Sequence, residues 1–311
     1  MTPEHATLTR SAALASIAMA LFLGLLKGWA VWRTGSTAML GSLADTALDL
    51  VASLATLAGV WIASQPADES HRFGHGKAEA LSAMFQVILI VLSAGAIGFR
   101  AVVRLVEGGR VEAAGQGILV SVIAILATFA LLAWQRHVIR QTGSLAIRTD
   151  NVHYKSDLLL NLAVIAALAI DQYLGFHRAD PLFGLGIAGW LLLGAWRASR
   201  EAVDNLMDRE WPEEKRLRFI EHAARHPELS KLHDLRTRTS GHRDFAQFHV
   251  DLPPAMTVAE AHDVIERVEH DLCQAFPGME LLIHIDPEGH VDEPGNKLVE
   301  ADEFAKLESK P

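Results

Sequence analysis

Two pairs of potential metal ligands lie inside strongly apolar segments of the chain. Asp45 and Asp49 belong to the run MLGSLADTALDLVASLATLAGVWIAS, and His153 and Asp157 belong to VHYKSDLLLNLAVIAALAI. The residues of each pair are four positions apart, so on a helix they share one face, about 40° apart in rotation and about 6 Å apart along the axis. Three carboxylates and one imidazole suit a divalent cation such as Zn²⁺. The sequence therefore predicts a four-ligand metal site within a bilayer.

This donor set also predicts competition between metal and protons. A ligand must lose its proton before it binds a metal, and an imidazole has a reference pKa of about 6.5, close to cytoplasmic pH. The alternative is that the four groups only form hydrogen bonds between helices. Two matched pairs on two segments favour the metal site, because ionisable groups within a membrane are costly and are usually functional.

The elements that must position these pairs are membrane-spanning helices. A helix needs about 20 mostly apolar residues to cross a bilayer. Six segments are long enough, at 11–32, 39–64, 81–105, 115–135, 146–172 and 180–199. Only the second and the fifth carry the paired ligands. The sequence therefore predicts an α-helical membrane protein with six transmembrane helices.

Charge divides the chain near residue 208. Residues 1–208 contain 15 acidic and 15 basic side chains, whereas residues 209–311 contain 22 and 13, together with 9 of the 15 histidines. We expect a transmembrane transport domain at 1–208, a cytoplasmic domain at 209–290 and an acidic flexible tail at 291–311. The acidic balance argues against nucleic acid as a partner, because phosphate binding needs clustered Lys and Arg.

Basic residues also predict the orientation in the membrane. An even number of spans places both termini on the same side. Arg136 and Arg140 follow the fourth span, Arg148 lies at the start of the fifth, and Arg197 and Arg200 lie at the end of the sixth. Because cytoplasmic loops carry an excess of Lys and Arg, both termini are expected in the cytoplasm.

The soluble part has the pattern of a small α/β domain with the order α-β-β-α-β. PEEKRLRFIEHAARH is an amphipathic helix, and LHDLRTRTSG and DFAQFHVDL are two strands joined by a turn. TVAEAHDVIERVEHDLCQAF is a second helix, for which Thr257 is the predicted cap and Glu260 completes a capping box. MELLIHID is the third strand. The single cysteine, Cys273, excludes an internal disulfide and a CxxC metal site.

Two further groups of potential ligands lie outside the predicted spans. In the loop after the second span, Asp68, His71 and His75 are spaced to converge on one side of a helical turn. A solvated polar loop is the alternative there, and the same loop holds Lys77 and Glu79 as ordinary charges at a helix start.

The second group lies in the soluble domain. His233, His249, His284 and Asp286 are on its strands, and His262 is on the helix expected to pack against the sheet. His284 and Asp286 share one face of their strand by its two-residue period. The group could hold one or two zinc ions, and a solvated surface rich in His is the alternative.

Five segments together resemble the cation diffusion facilitator family, and are most similar to its bacterial zinc/ferrous-iron efflux branch. They are LADTALDL, SQPADESHRFGHGKAEA, VHYKSD, LHDLRTRTSG and IHIDP. The resemblance extends over nearly the whole chain, from about residue 8 to about residue 290.

The resemblance implies a homodimer in the bacterial inner membrane that exports metal in exchange for protons, and a metallochaperone-like cytoplasmic domain. It implies a transport site of Asp45, Asp49, His153 and Asp157, a loop site of Asp68, His71 and His75, and a binuclear cytoplasmic site of His233, His249, His262, His284 and Asp286. Lys77 and Asp208 match a salt bridge between subunits. Zinc is then both the cargo and a structural ion, and protons are the counter-ion.

The resemblance also bears on the choice of metal. Family members with His at the first position of the fifth-span pair tend to move zinc and cadmium, and those with Asp there tend to move manganese. Imidazole favours borderline metals, and all-oxygen sites suit harder ones. We therefore expect Zn²⁺, while Cd²⁺ and Fe²⁺ stay open because one His among three carboxylates discriminates weakly.

Two other functions were weighed against transport. An intramembrane metalloenzyme would need a motif such as HExxH and an open metal position, and the chain has no such motif. A membrane metal sensor without transport would need no ligand within the bilayer, which Asp157 contradicts. The chain is not expected to be an enzyme.

Overall fold

The architecture was obtained from a computed structural model of the chain, which describes residues 3–34, 37–107, 115–174, 178–229, 231–241 and 243–308. Two compact units are present, Met1–Val203 and Asp204–Pro311. The first is helical and the second is a small α/β unit, which confirms the predicted fold class.

Six long helices make up the first unit. They are α1 (Pro3–Thr34), α2 (Thr37–Ala63), α3 (Ala78–Glu107), α4 (Gly115–Thr142), α5 (Leu145–Leu174) and α6 (Ala179–Leu206). Within the described ranges, five of them are long and apolar enough to cross a membrane, namely all except α5. Large apolar side chains face outward, such as Leu25, Trp32 and Phe99 at 77%, 79% and 72% exposure. These outward surfaces suit contact with lipid.

Helix α5 has the length of a span but is more polar, and three of its polar residues lie towards the interior. Asp150, Asn151 and His153 are all buried. The helix begins after Gly143, whose φ of 66° ends α4 in a left-handed turn. The carboxylate of Glu79 accepts hydrogen bonds from Ser144 Oγ at 2.7 Å and from Leu145 N at 3.1 Å. A buried carboxylate therefore caps the start of α5, where the helix dipole favours negative charge.

Glu79 is thus more than the ordinary helix-start charge expected from the sequence. It lies in the first turn of α3 and is 6% exposed. Because it bonds to the beginning of α5, it fixes the position of the helix that carries two predicted ligands.

A buried polar network joins α1, α4 and α5. Asp150 Oδ2 accepts hydrogen bonds from Ser16 Oγ at 2.6 Å and from Gln135 Nε2 at 2.8 Å. Asn151 Nδ2 donates to Gln135 Oε1 at 2.9 Å. Tyr154 Oη contacts Ser53 Oγ at 3.0 Å, which extends the network to α2. In an apolar interior such bonds fix the register of the helices, because a lost partner leaves a buried polar group unsatisfied.

The second unit begins with α7 (Glu213–Ala223) and continues with β1 (Leu232–Ser240), β2 (Arg243–Leu252), α8 (Val258–Ala275), β3 (Met279–Pro287) and the short α9 (Glu303–Glu308). This sequence of elements contains the predicted α-β-β-α-β order. The sheet order is β1-β2-β3, with β1 antiparallel and β3 parallel to β2. The predicted capping box of α8 is present, with Thr257 N donating to Glu260 Oε2 at 2.8 Å and Glu260 N donating to Thr257 Oγ1 at 3.3 Å.

Alternation along the strands separates a core face from a polar face of the sheet. Phe248 and Val250 pack with Val264 and Val268 of α8 in the hydrophobic core. His249 lies between the two core residues of β2 and pairs in register with His233 of β1 and His284 of β3. Because successive side chains point to opposite faces, the histidines lie on the face away from the helices.

The residues after β3 pack more closely than the loose tail expected from the sequence. Val299 and Glu303 are 7% and 4% exposed. Phe304 packs against the hydrophobic core, and Arg216 Nη2 donates to both carboxylate oxygens of Glu303, at 3.0 and 3.1 Å. The acidic composition predicted that these residues are surrounded by water. Instead Phe304 of the segment packs against the core, and Arg216 of α7 binds Glu303.

We predict that Gln135→Leu destabilises the membrane unit. The change removes one donor from Asp150 and the acceptor of Asn151, and a buried unsatisfied group costs about 1–3 kcal/mol. The melting temperature of the protein in detergent, followed by intrinsic tryptophan fluorescence, should fall by at least about 2 °C. Arg136→Gln, on the exposed side of α4, is the matched control and should leave it nearly unchanged. Equal melting temperatures for the two variants would contradict a stabilising network.

Candidate metal centres

Three of the four predicted intramembrane ligands meet between α2 and α5. His153 Nε2 is 2.9 Å from Asp49 Oδ1 and 3.9 Å from Asp157 Oδ2. One ligand atom from each of the three residues lies within 4.8 Å of the others. The i, i+4 spacing on α5 brings His153 and Asp157 to one face, and Asp49 reaches them from α2. An imidazole and two carboxylates at this separation can hold one divalent cation.

Asp45 lies one turn before Asp49 on α2 and is not part of this three-residue cluster. Its side chain is exposed, and it lines a cavity of about 340 Å³ together with Asp49 and Asp157. The structure therefore places the fourth predicted ligand at the wall of the same cavity but not within the cluster.

A cation also lies at this cavity. Lys27 of α1 lines it, and its Nζ donates to Thr46 Oγ1 at 2.7 Å. An ammonium at the wall partly balances the acidic residues, and it repels a metal ion that approaches on that side.

The loop residues Asp68, His71 and His75 converge as predicted, but through turns and bends and not on the predicted helical turn. Asp68 Oδ1 lies 3.4 Å from His71 Nδ1, and Asp68 Oδ2 lies 3.3 Å from His75 Nε2. Their ligand atoms form a group within 4.8 Å. The backbone N–H of His71 donates to Asp68 Oδ1 at 2.6 Å, and this bond lowers the pKa of Asp68 below its ordinary value. The carboxylate is therefore ionised at neutral pH and available as a ligand.

The polar face of the sheet carries the third group. His249 Nδ1 lies 2.8 Å from Asp286 Oδ2, and His233 Nε2 lies 3.6 Å from the same oxygen. The rings of His249 and His284 are 4.5 Å apart, and His284 Nε2 is 3.4 Å from Asp286 Oδ1. Four of the five predicted residues thus lie together, with the three histidines around Asp286.

The local backbone is shaped to make this cluster. Strand β1 has an irregularity between His233 and Arg236, and Asp234 within it has a φ of 45°. A bulge redirects side chains at the end of a strand, and a non-glycine residue in the left-handed region is uncommon. Asp234 Oδ2 lies 3.9 Å from His249 Nε2, so the strained residue also belongs to the surroundings of the cluster.

The donor set of this cluster fits a metal ion. Burial lowers the pKa of His233, so its imidazole is neutral at cytoplasmic pH, which is the form that binds metal. His233 Nδ1 is buried and has no hydrogen-bond partner among the described residues. Its nearest carboxylate oxygen is Asp251 Oδ1, at 3.6 Å. Imidazole nitrogens with carboxylate oxygens are the donors that Zn²⁺ accepts.

The structure does not bring His262 to this cluster. His262 is exposed on α8, and α8 covers the core face of the sheet, opposite the histidines. The sequence showed correctly that α8 packs on the sheet, but it did not show which face of the sheet the helix covers.

The sequence did not indicate one further candidate ligand of this cluster. Asp292 lies beyond β3, and its Oδ2 is 3.1 Å from His249 Nδ1. Together with His233, His249 and Asp286 it forms a group whose ligand atoms lie within 4.8 Å. The segment HVDEP does contain a His and an Asp, but no periodic pattern connected it to the strands.

Lys77 and Asp208 were predicted to pair between two subunits, which a single chain does not test. Within the chain, Asp208 Oδ1 lies 3.4 Å from Arg238 Nη1. The inter-subunit salt bridge stays a prediction.

Comparisons with known proteins identify the family of the chain. A model of the cation efflux transmembrane domain matches residues 13–207, and a model of the cytoplasmic domain of cation efflux proteins matches residues 211–288. The cation-efflux pump FieF of Yersinia enterocolitica is 42% identical over 287 residues, which are 92% of this chain and 95% of that protein. FieF of Yersinia pestis is 43% identical over 290 residues with the same coverage. Among solved structures, the Zn form of the transporter CzrB is 37% identical and covers 28% of this chain and 99% of its own, with a TM-score of 0.25.

The transmembrane model alone matches more than half of the chain, and the FieF relatives match nearly all of it. The chain therefore belongs to the cation efflux, or cation diffusion facilitator, family, whose members are membrane transporters of metal cations and not enzymes.

Proposed function

We propose that the chain exports divalent cations from the cytoplasm to the periplasm in exchange for protons, with Zn²⁺ preferred and Cd²⁺ or Fe²⁺ as further substrates. It would act as a homodimer in the bacterial inner membrane, with both termini in the cytoplasm. The name of the FieF relatives, cation-efflux pump, supports the direction, and the dimerisation-type cytoplasmic domain supports the homodimer.

The observation that carries the proposal is the convergence of Asp49, His153 and Asp157 within an apolar helical unit. Two carboxylates and an imidazole in a medium of low dielectric constant need compensating positive charge. A divalent cation can supply it, and so can protons bound to the same atoms. Because the two cannot fully occupy the same lone pairs, binding of one displaces the other.

Alternating access would then couple the two fluxes. When the cavity is open to the cytoplasm, His153 Nε2 and the two carboxylates lose protons and bind the metal. When it is open to the periplasm, protons bind to these atoms and the metal leaves. Asp45, at the wall of the same cavity, would complete the transport site as the helices move.

The other two clusters would have supporting roles. The exposed loop site of Asp68, His71 and His75 would capture metal at the cytoplasmic side. The cytoplasmic cluster around Asp286 would hold structural zinc and respond to metal concentration by stabilising the dimer. Lys77 and Asp208 would hold the subunits together at the membrane surface.

The main test is metal flux into proteoliposomes under an imposed pH gradient, with Asp157→Asn as the variant. Asp157 provides one of the three converging carboxylate or imidazole groups, and its loss should reduce zinc flux at least about 100-fold, equivalent to about 2.7 kcal/mol. Glu201→Gln is the control. It removes a carboxylate of α6 that pairs with Arg148 on the exposed surface, and it should keep most of the flux.

Two results of this experiment would contradict the proposal. If Asp157→Asn leaves zinc flux unaffected, the site of Asp49, His153 and Asp157 is not on the transport path. If zinc flux is equal with and without the pH gradient, transport is not coupled to protons.

The choice of metal can be tested separately with His153→Asp. An all-carboxylate site loses the borderline imidazole donor, so it should favour a harder cation. We expect the ratio of Zn²⁺ to Mn²⁺ flux to fall by about tenfold or more in the same vesicles. An unchanged ratio, with flux preserved, would show that His153 does not determine selectivity.

A further inference from the structure

The cytoplasmic cluster includes a candidate ligand from outside the range that the family model of the cytoplasmic domain matches. The model of the cytoplasmic domain ends at residue 288, and Asp292 lies beyond it, in the C-terminal segment (289–308). Asp292 Oδ2 is 3.1 Å from His249 Nδ1, and Asp286 Oδ2 is 2.8 Å from the same nitrogen. Two carboxylates therefore approach a single imidazole nitrogen.

The two carboxylates are shared among several imidazoles, because Asp292 Oδ1 also lies 3.1 Å from His290 Nε2. The His249 Nδ1 atom can give a proton to only one of the two carboxylates at a time, and like charges held this close repel each other. A divalent cation bound among the four groups would satisfy Asp286, Asp292 and the two imidazoles together. The geometry is that of a metal site with one ligand drawn from the C-terminal segment.

The segment is anchored on both sides of Asp292. Before it, Glu288 N donates to Leu252 O at 2.9 Å. After it, Asp234 N donates to Val299 O at 3.0 Å, and Lys231 Nζ lies 3.6 Å from Glu300 Oε2. These bonds join the segment to the two strands that carry His233 and His249.

We propose that Asp292 is a fourth protein ligand of the cation held by His233, His249 and Asp286, so that metal binding fastens the C-terminal segment to the sheet. The occupant is a divalent cation that accepts nitrogen and oxygen donors, as Zn²⁺ does. The inference rests on the metal-binding role proposed above for the cytoplasmic cluster. It adds that metal binding strengthens the attachment of the residues around Asp292 to the sheet.

The test is hydrogen–deuterium exchange of the full-length protein in detergent, measured by mass spectrometry over a Zn²⁺ titration. In the wild type, zinc should slow exchange about tenfold or more in peptides from β2, β3 and the C-terminal segment. Asp292→Asn should lose the zinc-dependent slowing in that segment and shift the zinc midpoint of the β2 and β3 peptides upward by about tenfold or more. Glu293→Gln removes the neighbouring charge and should behave as the wild type does.

A second variant guards against a merely structural effect. Asp292→His replaces the carboxylate with another zinc ligand, so it should restore the zinc-dependent slowing that Asp292→Asn loses. If Asp292→Asn and the wild type respond to zinc identically while β2 and β3 are still protected, Asp292 is not a ligand and only this inference fails. If zinc protects none of these peptides in the wild type, the cytoplasmic metal site fails with it.

Discussion

The contact between His153 and Asp49 joins the two helices on which the membrane unit depends. Its 2.9 Å distance holds an imidazole of α5 against a carboxylate of α2 in an apolar surrounding. A buried pair of this kind is stable only if its charges are balanced and its geometry is held by the surrounding structure. Glu79 caps the start of α5, and the Ser16–Gln135–Asp150 network fixes the depth of the same helix. The membrane site is thus positioned by polar contacts that lie outside it.

The same balance of charge applies on the polar face of the cytoplasmic sheet. There Asp286 is shared by several histidines, and period-two alternation keeps them away from the hydrophobic core. Both sites combine imidazoles with carboxylates, so both offer the same atoms to protons and to a metal ion. The same cation would therefore be transported by the helices and would also change the conformation of the soluble domain.

The sequence predicted some features of these sites and not others. Fixed spacing on one helix was informative, because the i, i+4 pair of α5 converges as expected. The loop residues Asp68, His71 and His75 also converge, but through turns and not through the helical spacing that predicted it. The α-β-β-α-β order also followed from pattern, because each element has its own period and capping signals. Positions that depend on packing between elements did not follow. The face of the sheet covered by α8, which separates His262 from the cluster, and the return of Asp292 to His249 are tertiary outcomes that no local pattern encodes.

The most direct test of the central claim is the zinc environment in the membrane unit, measured by X-ray absorption at the zinc edge. The full-length protein would carry His75→Ala and His249→Ala, so that the loop and cytoplasmic clusters each lack a ligand. The account predicts bound zinc with one imidazole nitrogen and carboxylate oxygens at about 2.0–2.2 Å. Zinc surrounded only by water oxygens, with no imidazole signal, would contradict it.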